Sequence, residues 1–238
     1  MAATNQFGQP IGESLADWSP CSRPADVMLE GIFCRLEPLR VERHATDLYE
    51  AYSSAPDQRD WTYLSTGPFH QESEYRQFVE SATQSSDPRH FAVIDSTTGK
   101  AVGTLALMRI DAANGVIEVG HIAFSPLLKQ RRASTEAQFL LMRYVFEKLQ
   151  YRRYEWKCDS LNSPSRQAAE RLGFRFEGIF RQAVVYKGRT RDTAWYSVID
   201  QEWPALKMAF LAWLSAENFD DKGNQRRSLA VIRELQAP

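Results

Sequence analysis

From residue 116 to residue 124 the chain is apolar or β-branched at nearly every position, with Glu118 and Gly120 as the breaks, and this continuous run predicts a buried strand. Ser125 and Pro126 end it. From Thr135 the period changes: Ala137, Leu140, Leu141, Tyr144, Val145 and Leu149 fall three and four apart, which predicts one apolar helix face. Ser134 and Thr135 both suit the N-cap, and Thr135 with Gln138 fits a capping box. Between strand and helix lies Lys129-Gln130-Arg131-Arg132-Ala133. Unpaired N–H groups and a partial positive charge at a helix N-terminus, preceded by three cationic side chains, point to a bound anion, most simply a phosphate. A solvated basic turn without a ligand fits the same residues.

The remaining pattern falls into place around this stretch. Residues 1–30 are rich in Gly, Pro, Ser and Asp without a period and predict an irregular arm, with Trp18 as its one large apolar anchor. A strand is expected over 32–39 and a helix over 44–52. An aromatic turn follows, Trp61-Thr62-Tyr63-Leu64-Ser65-Thr66-Gly67-Pro68-Phe69, leading into a helix over 71–83. Strands over 89–95 and 101–110 flank a tight turn, and Asn114-Gly115 turns into the opening strand, giving an antiparallel meander. Tyr154, Trp156 and Cys158 alternate with Glu155, Lys157 and Asp159 in a further strand, which should lie parallel to the 116–124 strand after a right-handed crossover. Ser163 suits an N-cap with Pro164 after it, and Gly173 a helix stop. A hairpin over 174–199 turns at residues 187–190, and amphipathic helices are expected over 203–214 and 226–235. This divides the chain into an arm (1–30), one α/β domain (31–200) and a C-terminal helical extension (201–238).

Composition sets bounds. With 238 residues, 43% of them hydrophobic, the chain is long enough for one sizeable core. The 29 basic and 30 acidic residues balance, so nothing in the totals calls for nucleic acid, and one basic turn is far smaller than a groove-tracking surface. No apolar run is long enough for a membrane span, and the first residues lack the features of a secretory signal. Cys21, Cys34 and Cys158 are odd in number and far apart. They fit a reducing, cytoplasmic setting and no metal-ligand spacing.

The order strand, Gln130-x-x-Ala133-x-Thr135, amphipathic helix resembles the coenzyme A pyrophosphate loop of the GNAT acetyltransferases. It is most similar to the branch of the ribosomal-protein N-terminal acetyltransferases, whose Thr-Glu-Ala run stands here as Thr135-Glu136-Ala137. The general pattern has small glycines at the places of Ala133 and Thr135, and the branch often has Asn at Ser134. The aromatic turn also resembles that branch. The resemblance implies a GNAT-type α/β fold with a mixed, splayed central sheet flanked by helices, and acetyl-CoA as the acyl donor. It implies pantetheine contacts from the backbone of Ile122, Ala123 and Phe124, and pyrophosphate contacts from Gln130, Arg131, Arg132, Ala133, Ser134 and Thr135. Asn162 is implied as a further coenzyme A contact, Ser165 as the group facing the thiol, and Trp61 and Tyr63 as the acceptor-side wall. Ala169 stands where many members carry a Tyr acid.

Acetyl transfer from a thioester to an amine needs a base for the amine, N–H donors for the oxyanion and a stabilised thiolate. Glu118 is the expected base, since a carboxylate on an apolar strand is costly unless paired or wet. His121, with an ordinary pKa near ~6.5, is the rival. Period two sends the two to opposite faces unless a bulge lies between them. A structural ion pair for Glu118 and a satisfied buried imidazole for His121 are the bland alternatives, and Asn162 with Ser165 can simply cap a helix. The expected activity is N-acetylation of a small-molecule amine or a peptide N-terminus, with a non-catalytic acyl-CoA-binding module as the alternative. In sequence, neither an acidic nor a basic cluster adjoins the aromatic turn to choose the acceptor, and oligomeric state is not readable.

Overall fold

The computed structural model describes residues 3–236, so the outermost residues of the arm and the extension, 1–2 and 237–238, lie outside the described part. The arm begins with a small exposed hairpin, β1 (Ala3–Thr4) and β2 (Pro10–Ile11), where sequence predicts no period at all. Two Asn5 side-chain contacts, accepted from the N–H groups of Phe7 and Gln9, hold its turn. Trp18 anchors the arm: its indole donates to the Ala113 carbonyl at 2.9 Å, and the Arg152 guanidinium lies over its ring.

The domain is built on one eight-stranded mixed sheet in the order β3-β4-β5-β6-β7-β8-β10-β9. Its strands are β3 (Leu29–Glu30), β4 (Cys34–Pro38), β5 (Arg89–Asp95), β6 (Ala101–Asp111), β7 (Val116–Phe124), β8 (Arg153–Asp159), β9 (Arg175–Tyr186) and β10 (Arg189–Ile199). All neighbours are antiparallel except β7 and β8, which are parallel. The helices are α1 (Val41–Ser53), α2 (Glu72–Thr83), α3 (Arg132–Arg143, continued by a π-helical turn Tyr144–Lys148), α4 (Ser163–Leu172), α5 (Trp203–Leu214) and α6 (Leu229–Leu235).

The two faces of the sheet are covered unequally. One face carries the main core: Leu105, Leu107, Ile117, Val119, Tyr154, Trp156, Ala194 and Tyr196 point toward α3, α4 and α5. There α3 is buried on almost every side because α5 lies on its back, with Phe139 and Phe146 stacked on Trp203. On the other face α1 and α2 cover only the β4–β6 half, with Leu48, Tyr75, Val79, Ala92 and Ile94 between. No described helix covers the β8–β10–β9 half of that face.

The start of α3 corrects the expected cap. The helix begins at Arg132, with Arg131 at the N-cap and no side-chain cap, so Thr135 and Gln138 lie inside it and form no capping box. Tertiary contacts outweigh the local preference: Ser134 Oγ donates back to the Arg131 carbonyl, and Thr135 Oγ1 accepts from Arg171 of α4 at 3.0 Å. The N-cap of α4 is likewise one residue earlier than expected, Asn162 rather than Ser163.

One contact fixes α3 against the sheet edge. The Glu136 carboxylate accepts three backbone N–H groups, from Ile32 at 2.8 Å, Phe33 at 2.6 Å and Cys34 at 2.8 Å, which closes the β3–β4 turn over the helix. Bonds to a charged, 3% exposed acceptor are stronger than neutral ones. Glu136→Gln is expected to lower the unfolding free energy by about 2 kcal/mol. Urea denaturation checks this, and an unchanged midpoint would count against an anchoring role.

Candidate active site

β7 and β8 pair only from Val116–Arg153 to Val119–Trp156. Beyond that register both strands continue, β7 to Phe124 and β8 to Asp159, without a partner in each other. The sheet therefore opens between its two parallel strands at their C-terminal ends. Ile122, Ala123 and Phe124 lie on the opened edge of β7, the Gln130 loop follows it, and Asn162 and Ser165 follow β8. The splay expected from the resemblance is present.

A β-bulge sits at the mouth of the opening. On β6 Ala106 faces Gly120 and Thr104 faces Ala123, so Leu105 alone stands opposite His121 and Ile122. His121 takes φ 48°, a left-handed conformation uncommon for a side chain other than Gly, Asn, Asp or His. The extra residue reverses the alternation. His121 turns to the α1/α2 face, its ring 5.1 Å from that of His90, whereas Ile122 and Phe124 pack toward the main core. Glu118 and His121 thus share one face, and the simple period-two separation of the two does not hold.

Glu118 itself is 4% exposed and ionically engaged. Its Oε2 lies 3.0 Å from Lys157 Nζ and 3.0 Å from Arg109 Nε, at angles that make ion pairs rather than hydrogen bonds. The ladder extends across the sheet: Lys157 also meets Glu155 at 2.7 Å, Arg153 meets Glu155 at 2.7 Å and Glu177 at 2.5 Å, and Ser197 donates to Glu177. Burial raises the Glu118 pKa above the usual carboxylate value, opposed by Lys157 and Arg109. A side chain at residue 120 would collide with Met108, so glycine there makes room for the Met108 thioether beside Glu118.

His121 and His90 face a narrow aromatic pocket formed with Tyr52, Trp61, Leu64 and Phe78. Burial, with Arg109 nearby, lowers the His121 pKa. Burial, with His121 nearby, lowers that of His90 to about 4. Both imidazoles are neutral at pH 7. Tyr52 spans the pocket, its hydroxyl donating to the Ala123 carbonyl at 3.0 Å, so that one of the expected pantetheine-facing carbonyls is already engaged.

Trp61 packs edge-on against Tyr52 and Phe69, and its ring lies over Gly67, whose φ of +66° and lack of a side chain permit the contact. Tyr63 donates to the Leu161 carbonyl at 3.3 Å, tying the aromatic turn to the loop before α4. From the other side the tip of the β9–β10 hairpin closes on it: Lys187 donates to the carbonyls of Trp61 (2.7 Å) and Thr66 (3.3 Å), and Arg189 to that of Thr62 (2.6 Å). A basic cluster does adjoin the aromatic turn, brought there by a hairpin more than a hundred residues away. Local sequence could not reveal it.

The basic turn is less uniform than its sequence. Lys129 pairs with Asp60, and Arg132 is stacked on Phe219 at 3.5 Å with Phe33 at 5.4 Å, so neither stands free. Arg131 and Gln130 are exposed, and Gln130 turns the loop with φ 59°. Ala133 is buried in the first turn of α3, with Ser134 and Thr135 bonded as above. Asn162 caps α4, its Oδ1 accepting from the Ser165 N–H at 3.2 Å, which is the bland role foreseen for it. Ser165 Oγ accepts the Trp156 indole at 3.0 Å beside Cys158, whose pKa burial raises and Ser165 lowers. Ala169 is fully buried in the core. Among the described residues no group of side chains has metal-ligating geometry.

Comparison with known proteins shows the family. The family description Acetyltransferase (GNAT) domain matches residues 34–175, and the chain belongs to the GNAT acetyltransferase family. A crystal structure of a GCN5-related N-acetyltransferase from Brucella melitensis is 52% identical with a TM-score of 0.91, covering 92% of this chain and 100% of that one. A second, from Chromobacterium violaceum, is 38% identical with a TM-score of 0.76 over 82% of this chain and 98% of that one. The uncharacterized N-acetyltransferase p20 of Bacillus licheniformis is 28% identical over 172 residues, 71% of this chain and 95% of its own.

Sequence reasoning missed Arg109, Lys157, His90 and Tyr52. The available signal was the charged set Glu155, Lys157 and Asp159 alternating along an otherwise buried strand. Lys157→Met leaves Glu118 and Glu155 without their buried countercharge and is expected to cost about 3–5 kcal/mol of stability. The Glu118→Gln/Lys157→Met double variant should recover part of this. A loss under about 1 kcal/mol by urea denaturation would mean that the carboxylates are solvated.

Proposed function

We propose that this protein transfers an acetyl group from acetyl-CoA to a primary amine, with the amine entering from the α1/α2 side of the splay. The observation that carries this reading is the opening of β7 from β8 after four paired residues, with the His121 bulge on one side of it and the Gln130–α3 turn beyond it. The edge of β7 from Ile122 to Phe124 fits the pantetheine amides. The N–H groups at the start of α3, with Arg131 beside them, fit the pyrophosphate. Acetyl-CoA supplies the thioester; the chain binds it, orients the amine and handles the proton.

His121 is the base this reading assigns. Its imidazole is neutral, lies on the aromatic pocket and has no hydrogen-bond partner among the described residues, so a nitrogen is free to take a proton. His90 beside it is likewise held neutral, by burial and by His121 itself. Ser165 is assigned to the leaving sulfur, to which a hydroxyl can donate one hydrogen bond. A second reading makes Glu118 the base, favoured by its raised pKa and by an Oε2 without a hydrogen bond. A module that binds acyl-CoA without turnover is the outcome to exclude.

Calorimetric titration with acetyl-CoA, followed by turnover on a panel of amines and N-terminal peptides, tests the reading: binding in the micromolar range and release of free thiol are expected. At saturating amine, a neutral base with a lowered pKa puts the enzyme's own acid limb of kcat below the ordinary histidine value of about 6.5, apart from the fall in kcat/KM as the amine itself protonates. His121→Gln should remove this acid limb and lower kcat by about 10²-fold or more with acetyl-CoA affinity unchanged. Glu118→Gln should lower kcat far less. The reverse order would move the role to Glu118, and binding without turnover on any amine would favour the non-catalytic module.

A further inference from the structure

Three polar atoms on one face of β10 are buried without a partner: Arg191 Nε, Thr193 Oγ1 and Trp195 Nε1. Thr193 and Trp195 are two apart and share one face of the strand, and across a register shift in the β9 pairing the Arg191 guanidinium reaches the same face, standing over Tyr186, whose hydroxyl bonds Asp159. It is the face of the ion ladder, since Thr193 stands opposite Asp159 and Trp195 opposite Lys157, whose ammonium lies 3.8 Å from the Trp195 ring. Thr193 is 4% exposed. Folded proteins leave few buried polar atoms unpaired, and three in succession along one strand mark a place where a bound molecule completes the set. Guanidinium and indole N–H groups only donate, and the hydroxyl can donate as well, so the missing partner is rich in acceptor oxygens.

Charge narrows the choice. Lys187, Arg189 and Arg191 surround this end of β10, and among the described residues none of them forms an ion pair; Lys187 and Arg189 are held by backbone carbonyls instead. The carboxylates nearby are engaged locally, Asp159 by Tyr186 and the Leu161 N–H, Asp192 by the Gln182 N–H, and Glu155 and Glu118, beside Trp195, by Lys157. The chain as a whole carries a formal net charge of −1, so the positive balance is a local one. β10 lies two strands from β7, and because β7 and β8 have parted before the level of His121, the His121 bulge stands at least two strand spacings away, at least about 10 Å or three extended residues.

We propose that the acceptor carries a carboxylate at least about 10 Å from its reacting amine, received by Arg191, Thr193 and Trp195. This rests on the acetyltransferase reading above and names its substrate class. An N-terminal peptide with Asp or Glu at its second or third residue presents such a group, and so does a long free amino acid.

The test compares kcat/KM for the peptide amides Ser-Glu-Glu-Ala, Ser-Gln-Gln-Ala and Ser-Lys-Lys-Ala, and for 8-aminooctanoate beside octylamine, with acetyl-CoA titrated calorimetrically in parallel. The acidic member of either series should exceed its uncharged or basic counterpart by about tenfold or more. Preference within the peptides identifies a peptide source, and preference within the alkylamines a free amino acid. Arg191→Gln and Thr193→Val should each reduce that preference about three- to tenfold, mainly through KM, with acetyl-CoA affinity intact as the check on folding. Equal turnover of acidic, neutral and basic acceptors overturns the inference and leaves the acetyltransferase reading standing. Acetyl-CoA binding with no acceptor acetylated overturns both.

Discussion

The structure depends on the brevity of one strand pairing. Among the described residues β7 and β8 are the only parallel neighbours in the sheet, and they share four residue pairs before they part. A parallel pair needs a long crossover, here supplied by the Gln130 loop and α3, and that crossover places a helix N-terminus beyond the ends of the strands. Backbone groups left unpaired inside a sheet are costly unless something binds them. The opening is therefore a gap in the sheet with backbone groups free for a ligand, and ligands of open α/β sheets commonly lie at such carboxyl ends.

The two faces of the sheet divide the remaining work. On one, the apolar core of α3, α4 and α5 holds the crossover rigid. On the other, α1 and α2 stop short, and charged side chains rather than a helix cover the floor from Arg109 to Glu177. Pairing makes that cover tolerable: each buried carboxylate of the ladder meets at least one cation. The aromatic turn and the hairpin tip stand over its far end, held together by Lys187 and Arg189. The narrow pocket at His121 lies on the α1/α2 side of the turn, walled by Tyr52, Trp61 and Phe78.

Much of this was legible in the chain. Period-two and period-3.6 runs located the meander, α3, β8 and the closing hairpin, and the Gln130-to-Ala137 pattern pointed to the family. What was not legible depended on packing across distance. The start of α3 moved because Arg171 and the Arg131 carbonyl took the hydroxyls expected to cap it. The bulge at His121 carries no local mark, yet it decides which face the imidazole takes. Arg132 reads as a phosphate arm until Phe219, from the C-terminal extension, is seen beneath it. Lys187 and Arg189 reach the aromatic turn only through the fold.

The central claim is that the splay beside the His121 bulge receives the acyl donor. Hydrogen exchange of the backbone amides, followed with and without acetyl-CoA, addresses it residue by residue. The account predicts slowed exchange at Ile122, Ala123 and Phe124 and across Gln130 to Thr135 when acetyl-CoA is bound, with the β4–β6 core unchanged. Binding that leaves those amides as fast as in the free protein, or protects a different edge of the sheet, would contradict it.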